Sequence, residues 1–216
     1  MGLPSRNRKR AQLQLWAGNG EEPAGRPDLA PTTVLRRHPS CPRVLGQIRQ
    51  VRIFFPELDG LALKVGLTRA AAGFASRDEP WIWVNPRRLS RHTIAHELVH
   101  LLQNLGHVPK GERSADLYAL ARHRAVVDDL PCYLRTPAGL RRAWPDRRAK
   151  IEALLHQTAL DALAAKGGGE TYYLRWFERE LQVRWRVTES DRPGVLARAE
   201  QGILFQKAVR FIFGRP

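Results

Sequence analysis

The chain has 216 residues, enough for one domain with a core of its own, and its 43% hydrophobic and 26% charged residues exclude a wholly disordered polymer. No run approaches the ~20 consecutive apolar residues of a membrane span, and the basic N-terminus lacks the apolar run of a signal peptide. With 36 Lys plus Arg against 21 Asp plus Glu, the net charge of +15 creates a field that attracts nucleic acid, anionic membrane surfaces or acidic proteins in a salt-sensitive way, although an arginine-rich composition is equally what a GC-rich genome writes.

In chain order, residues 1–43 carry Pro4, Pro23, Pro27, Pro31, Pro39 and Pro42 without sustained periodicity, and are expected to form a basic, Pro/Gly-rich arm that is loosely docked. From Val44 the pattern tightens. Ile48 to Phe55 reads as a strand or as the end of a helix entering one, and Leu61 to Thr68 alternates as a strand. Trp81-Ile82-Trp83-Val84-Asn85, closed by Pro86, is the clearest strand in the chain. Ser90 is a plausible N-cap for a helix over Arg91 to Leu105, with apolar residues at Ile94, Leu98, Leu101, Leu102 and Leu105 and a stop at Gly106 and Pro109. A second helix is expected from Gly111 to about Val127, broken by Asp128, Asp129 and Pro131. A third opens at Pro145-Asp146 and ends at the three glycines 167–169, a short strand is expected in the alternating segment 181–187, and a last helix from Val195 to Phe213. Cys41 and Cys132 share no short spacing and read as free thiols, which suits a cytoplasmic location.

The chemistry lies in the first of these helices, where His96-Glu97-Leu98-Val99-His100 matches H-E-x-x-H. Histidines four apart project from one helical face, so both imidazoles can reach one Zn2+, and Glu97 stands where its carboxylate can take a proton from a water activated at the metal. A blander reading, two histidines and a glutamate on an ordinary amphipathic helix, is disfavoured by the uncharged variable positions around the motif. Zinc takes a third protein ligand, and Glu112, Asp116, His107 and His123 are the candidates. If Glu112 ligates, Asp116 lies one turn further on the same face and can fix the tautomer of a ligand histidine. The metzincin spacing fails, since Gln103 and Gly106 stand at its glycine and third-histidine positions. His123, Tyr118, Tyr133, Tyr172 and Tyr173 are candidate donors to an oxyanion.

The block from about Leu61 to Ala121, with GLTRAAAGFAS, WIWVNP, TIAHELVHLLQ and GERSADLYALAR, resembles the compact metallopeptidase core of SprT-like and minigluzincin proteins. That resemblance implies Glu112 as the third zinc ligand and Asp116 as the support of a histidine, similar to the gluzincin E-x-x-x-D arrangement; it departs from SprT-like proteins, whose third ligand is usually histidine. It further implies that Trp81 to Asn85 is the edge strand lining the cleft, so that Trp83, Val84 and Asn85 bind an extended peptide. The fold expected is an α+β zincin-like core over residues 44–135, a small, mainly antiparallel sheet packed on the active-site helix and a second ligand-bearing helix, followed by a mainly helical extension over 136–216 that shapes or covers the cleft. The activity expected is zinc-dependent hydrolysis of peptide or protein substrates. Two rivals are a nucleic-acid-associated protein on the same scaffold and a latent peptidase whose N-terminal arm blocks the cleft.

Overall fold

The computed structural model describes residues 29–190. Strand β1 (Ala30–Pro31) leads through helices α1 (Thr33–Arg36) and α2 (Cys41–Arg52) to β2 (Lys64–Leu67), β3 (Gly73–Ala75) and β4 (Trp81–Val84). Helices α3 (Arg91–Asn104) and α4 (Glu112–Arg122) follow, then a 3-10 turn at Arg124–Val126 and the long helices α5 (Ala138–Gly167) and α6 (Tyr173–Ser190). The class is α+β, with six α-helices and one four-stranded mixed sheet among the described residues.

The sheet runs β1-β2-β4-β3, with β1 parallel to β2, β2 parallel to β4, and only β3 antiparallel to β4. The expectation of a mainly antiparallel sheet is therefore corrected. Parallel neighbours need a crossover: α1 and α2 supply it between β1 and β2, and the segment holding β3 returns the chain so that β4 runs parallel to β2. The stretch before residue 44 was expected to be a loose arm, yet Ala30 and Pro31 pair with Lys64 and Val65, and Leu29 and Leu35 are buried. Along β4 the alternation behaves as read: Ile82 and Val84 face the core, while Trp81 and Trp83 lie on the opposite face.

Helix α3 begins where the Ser90 hydroxyl accepts from Thr93 N–H at 3.0 Å, and the Asp128 carboxylate accepts from the N–H groups of Arg91 and His92 at 3.0 and 2.9 Å. Ile94, Ala95, Leu98, Val99 and Leu102 are fully buried, which fixes the rotation of the helix and hence the direction of its histidines. The chain then turns at Gly106 and Gly111, both at positive φ (77° and 111°), which glycine accepts without strain. Helix α4 ends at Arg122 rather than near Val127, and a buried ion pair from Arg122 Nη1 to both oxygens of Glu57, 2.7 and 2.9 Å, ties that end to the body of the protein.

Pro145 sits inside α5 instead of opening it, and Arg147 leaves helical geometry beside it, so the helix kinks where the missing N–H breaks the ladder. The segment 181–187 belongs to α6 and is not a strand. Its buried side chains Phe177, Leu181 and Trp185 recur every fourth residue, whereas Val183 and Val187 remain exposed, so the apparent two-residue alternation mixes the buried and the exposed faces of a helix. These side chains, with Leu140, Ile151 and Leu155 of α5, join the same continuous core as Ile94 and Leu98. The two helices pack together and against α4. The helix expected over 195–213 lies outside the described residues.

Candidate metal centre

His96 and His100 project from successive turns of α3 toward Glu112 in the first turn of α4. His96 Nε2 and Glu112 Oε2 are 3.0 Å apart, His100 Nε2 and Glu112 Oε2 3.2 Å, and the two Nε2 atoms 3.1 Å. Three ligands of a tetrahedral zinc at 2.0–2.1 Å stand about 3.3–3.4 Å apart. The triangle is thus nearly the size such an ion needs.

The outer hydrogen bonds decide what these atoms are. His96 Nδ1 lies 2.8 Å from Asp116 Oδ1, and an ionised carboxylate only accepts, so the proton of the neutral ring is on Nδ1. His100 Nδ1 lies 2.8 Å from Gln103 Oε1. The Gln103 amide is itself oriented, because its Nε2 donates to the carbonyls of Pro109 and Gly111 at 2.8 and 3.0 Å, and its oxygen must then accept from His100. Both histidines therefore turn Nε2 lone pairs toward a carboxylate oxygen. Three electron-rich atoms within hydrogen-bond distance repel one another unless a cation or a proton lies between them. The donor set of two imidazoles and one carboxylate fits a borderline divalent ion such as zinc.

Asp116 is 1% exposed and fully engaged: its second oxygen accepts the Tyr133 N–H at 2.7 Å, and His92 Nε2 lies 3.4 Å from the first. Burial alone would raise its pKa, but the contacts from His92 and His96 and their charge outweigh burial and hold the group below the usual carboxylate range. Burial likewise disfavours a charged His96, and the bonded Asp116, then Glu97 and Glu112, turn the net shift upward. Glu97 is 5% exposed. Its burial pushes its pKa up to about 7, partly offset by His96 and reinforced by the negative charges of Glu112 and Asp116. A carboxyl poised near neutrality both takes and gives a proton.

The centre opens into a cleft of about 820 Å3, walled on one side by β3 and on the other by the turn before α4 and by Tyr133. Gly73 of β3 backs directly on Glu97: a Cβ there would stand 2.9 Å from both Cγ and Oε1 of the glutamate. Tyr133 is half-exposed, and its ring stacks on that of His96 with centroids 5.5 Å apart.

Of the third-ligand candidates, Glu112 is brought to the histidines, while Asp116 serves His96 from behind. His107 and His123 are not in the cluster; His123 stacks on Phe54 at 4.3 Å and accepts from Ala125 N–H. Among the proposed oxyanion donors only Tyr133 lines the cleft. Tyr118 bonds Lys166, and Tyr173 bonds Ser114. Trp83, Val84 and Asn85 do not line it either, which corrects their assignment to an edge strand. Strand β4 is paired on both sides, by β2 and β3, so its main chain has no free row to offer a peptide. The edge facing the cleft is β3, a segment to which no strand was assigned from sequence. Among the described residues, helices α5 and α6 of the C-terminal extension contribute nothing to the cleft lining; they pack on α4.

Gln103 and His92 were also missed as site residues. The signal was present, because they lie three residues after His100 and four before His96, on the same face of α3. No helix among the described residues is long and apolar enough to cross a membrane. Comparison with protein-family models, with curated proteins and with solved structures gives no match.

Proposed function

We propose that the chain is a zinc-dependent peptidase of the zincin type, with His96, His100 and Glu112 as metal ligands and Glu97 as general base. The observation that carries this reading is the convergence of two imidazoles, whose tautomers are set from behind by Asp116 and Gln103, on the Glu112 carboxylate, beside a buried carboxyl at the floor of an open cleft. Bound there, zinc supplies Lewis-acid polarisation of a carbonyl and acidifies water to a pKa near ~7. Glu97 accepts the proton of the attacking water and delivers it to the amine nitrogen as the C–N bond breaks. Strand β3 pairs with an extended substrate and lays its scissile bond across the centre, and the Tyr133 hydroxyl donates to the carbonyl oxygen as negative charge develops on it.

The test is elemental analysis of the purified protein, together with turnover of an unstructured peptide mixture. Glu97→Gln is expected to keep one zinc per chain and to lose turnover by a factor of at least ~10². Glu112→Ala is expected to lose the metal. Undiminished turnover in Glu97→Gln, or a wild-type protein that retains no metal, rejects the reading.

A second reading, association with single-stranded nucleic acid, is favoured by the outer face of the sheet. There Phe74 stacks on Trp83 at 4.5 Å, Trp81 lies 5.1 Å from Trp83, and Lys64 stands over the Trp81 ring; the exposed Arg69, Arg87 and Arg88 are close in sequence, and Asp78 and Glu79 are the acidic residues between positions 60 and 96. Salt-dependent retention on single-stranded DNA that survives Glu97→Gln supports it; elution without salt dependence removes it.

A further inference from the structure

His92 is buried to 4% exposure, and neither of its ring nitrogens makes a well-formed hydrogen bond. It stands one turn before His96, so that His92, His96 and His100 form a stripe on one face of α3. A buried imidazole without full partners is costly, and one retained in a packed core needs a reason. Its Nε2 lies 3.4 Å from Asp116 Oδ1, the same oxygen that accepts from His96 Nδ1 at 2.8 Å.

We propose that His92 is a positioning residue of the metal centre, which directs its Nε2–H at Asp116 Oδ1 and, with the Tyr133 N–H on Oδ2, pins that carboxylate behind His96. The inference rests on reading His96, His100 and Glu112 as metal ligands. Held from both oxygens, Asp116 keeps the His96 proton on Nδ1 and the Nε2 lone pair on the cluster. It also keeps Asp116 out of the coordination sphere, because a carboxylate with one oxygen released can swing past the imidazole and compete with Glu112. The first histidine of the stripe thus acts on the metal through two intermediaries and never touches it.

The chemistry sets two opposite expectations for one substitution. His92→Leu replaces an incompletely partnered imidazole by an apolar side chain of similar bulk, which is neutral or stabilising for the metal-free fold. The same change removes the donor on Asp116 and weakens the centre. His92→Gln places an amide N–H near the position of Nε2 and restores the donor.

The experiment uses the full chain and Zn2+ alone, with affinity measured by competition against a chromophoric chelator and with thermal melts of the metal-free proteins. His92→Leu is expected to lose roughly 10–100-fold in zinc affinity while its metal-free melting temperature is unchanged or raised, and His92→Gln to bind close to wild type. Equal affinity in wild type and His92→Leu overturns the proposal, as does equal loss in both variants, or loss of affinity in step with loss of metal-free stability. A wild-type chain that binds no Zn2+ is a different failure: it removes the metal-site reading, and this inference with it, before any variant is compared.

Discussion

Gln103 lies outside the candidate ligand set and yet orients one of its members, His100. Its amide is oriented by two backbone carbonyls of the turn before α4, so its oxygen presents a fixed acceptor to His100. Gln103→Leu removes that acceptor, lets His100 flip or exchange tautomer, and frees the turn; zinc affinity is expected to fall roughly 10–100-fold, read by chelator competition. The convergence of His96 and His100 was legible from sequence because a four-residue spacing on a helix fixes direction without tertiary information. Glu112 was legible only as one of four candidates, because its meeting with the histidines depends on the turn through Gly106 and Gly111. The roles of Tyr133 and Gly73 rest on contacts between distant segments, and no local spacing encodes those.

At the scale of elements, the length of α3, its Ser90 cap and its burial were readable from periodicity, since a fourteen-residue amphipathic pattern overrides local noise. Short strands were harder. A three-residue β3 carries too little pattern to be recognised, and β1, two residues long with a proline, exists because its neighbour β2 offers it a hydrogen-bonding edge. The latent-peptidase rival treated everything before Val44 as a removable plug. Those residues include β1 and the buried Leu29 and Leu35, each of whose loss costs about 2–5 kcal/mol by analogy with truncation of buried leucines. A chain starting at Val44 is therefore expected to be strongly destabilised rather than activated, measured as a lowered or absent melting transition in circular dichroism together with loss of turnover.

For the molecule as a whole, the α+β class followed from the mixture of periods, whereas the parallel majority of the sheet did not, because strand direction is set by connections and not by composition. The three candidate ligands join α3 to α4, and α4 carries the packing of α5 and α6, so on the proposed reading metal occupancy is expected to be coupled to global stability. Zinc at a thousand times its dissociation constant adds about 4 kcal/mol, which for a domain of this size raises the melting temperature on the order of 10 °C. Differential scanning calorimetry with zinc and with chelator measures this shift, and Glu112→Ala is expected to abolish it.

Strand β3 is only three residues long. A guest chain laid along so brief a ledge can be grasped through a few amides at most, and the grip takes little notice of side-chain identity. On the proposed peptidase reading, such a ledge is expected to select by looseness: a stretch that is already unravelled fits it, while a well-folded neighbour of the same composition does not.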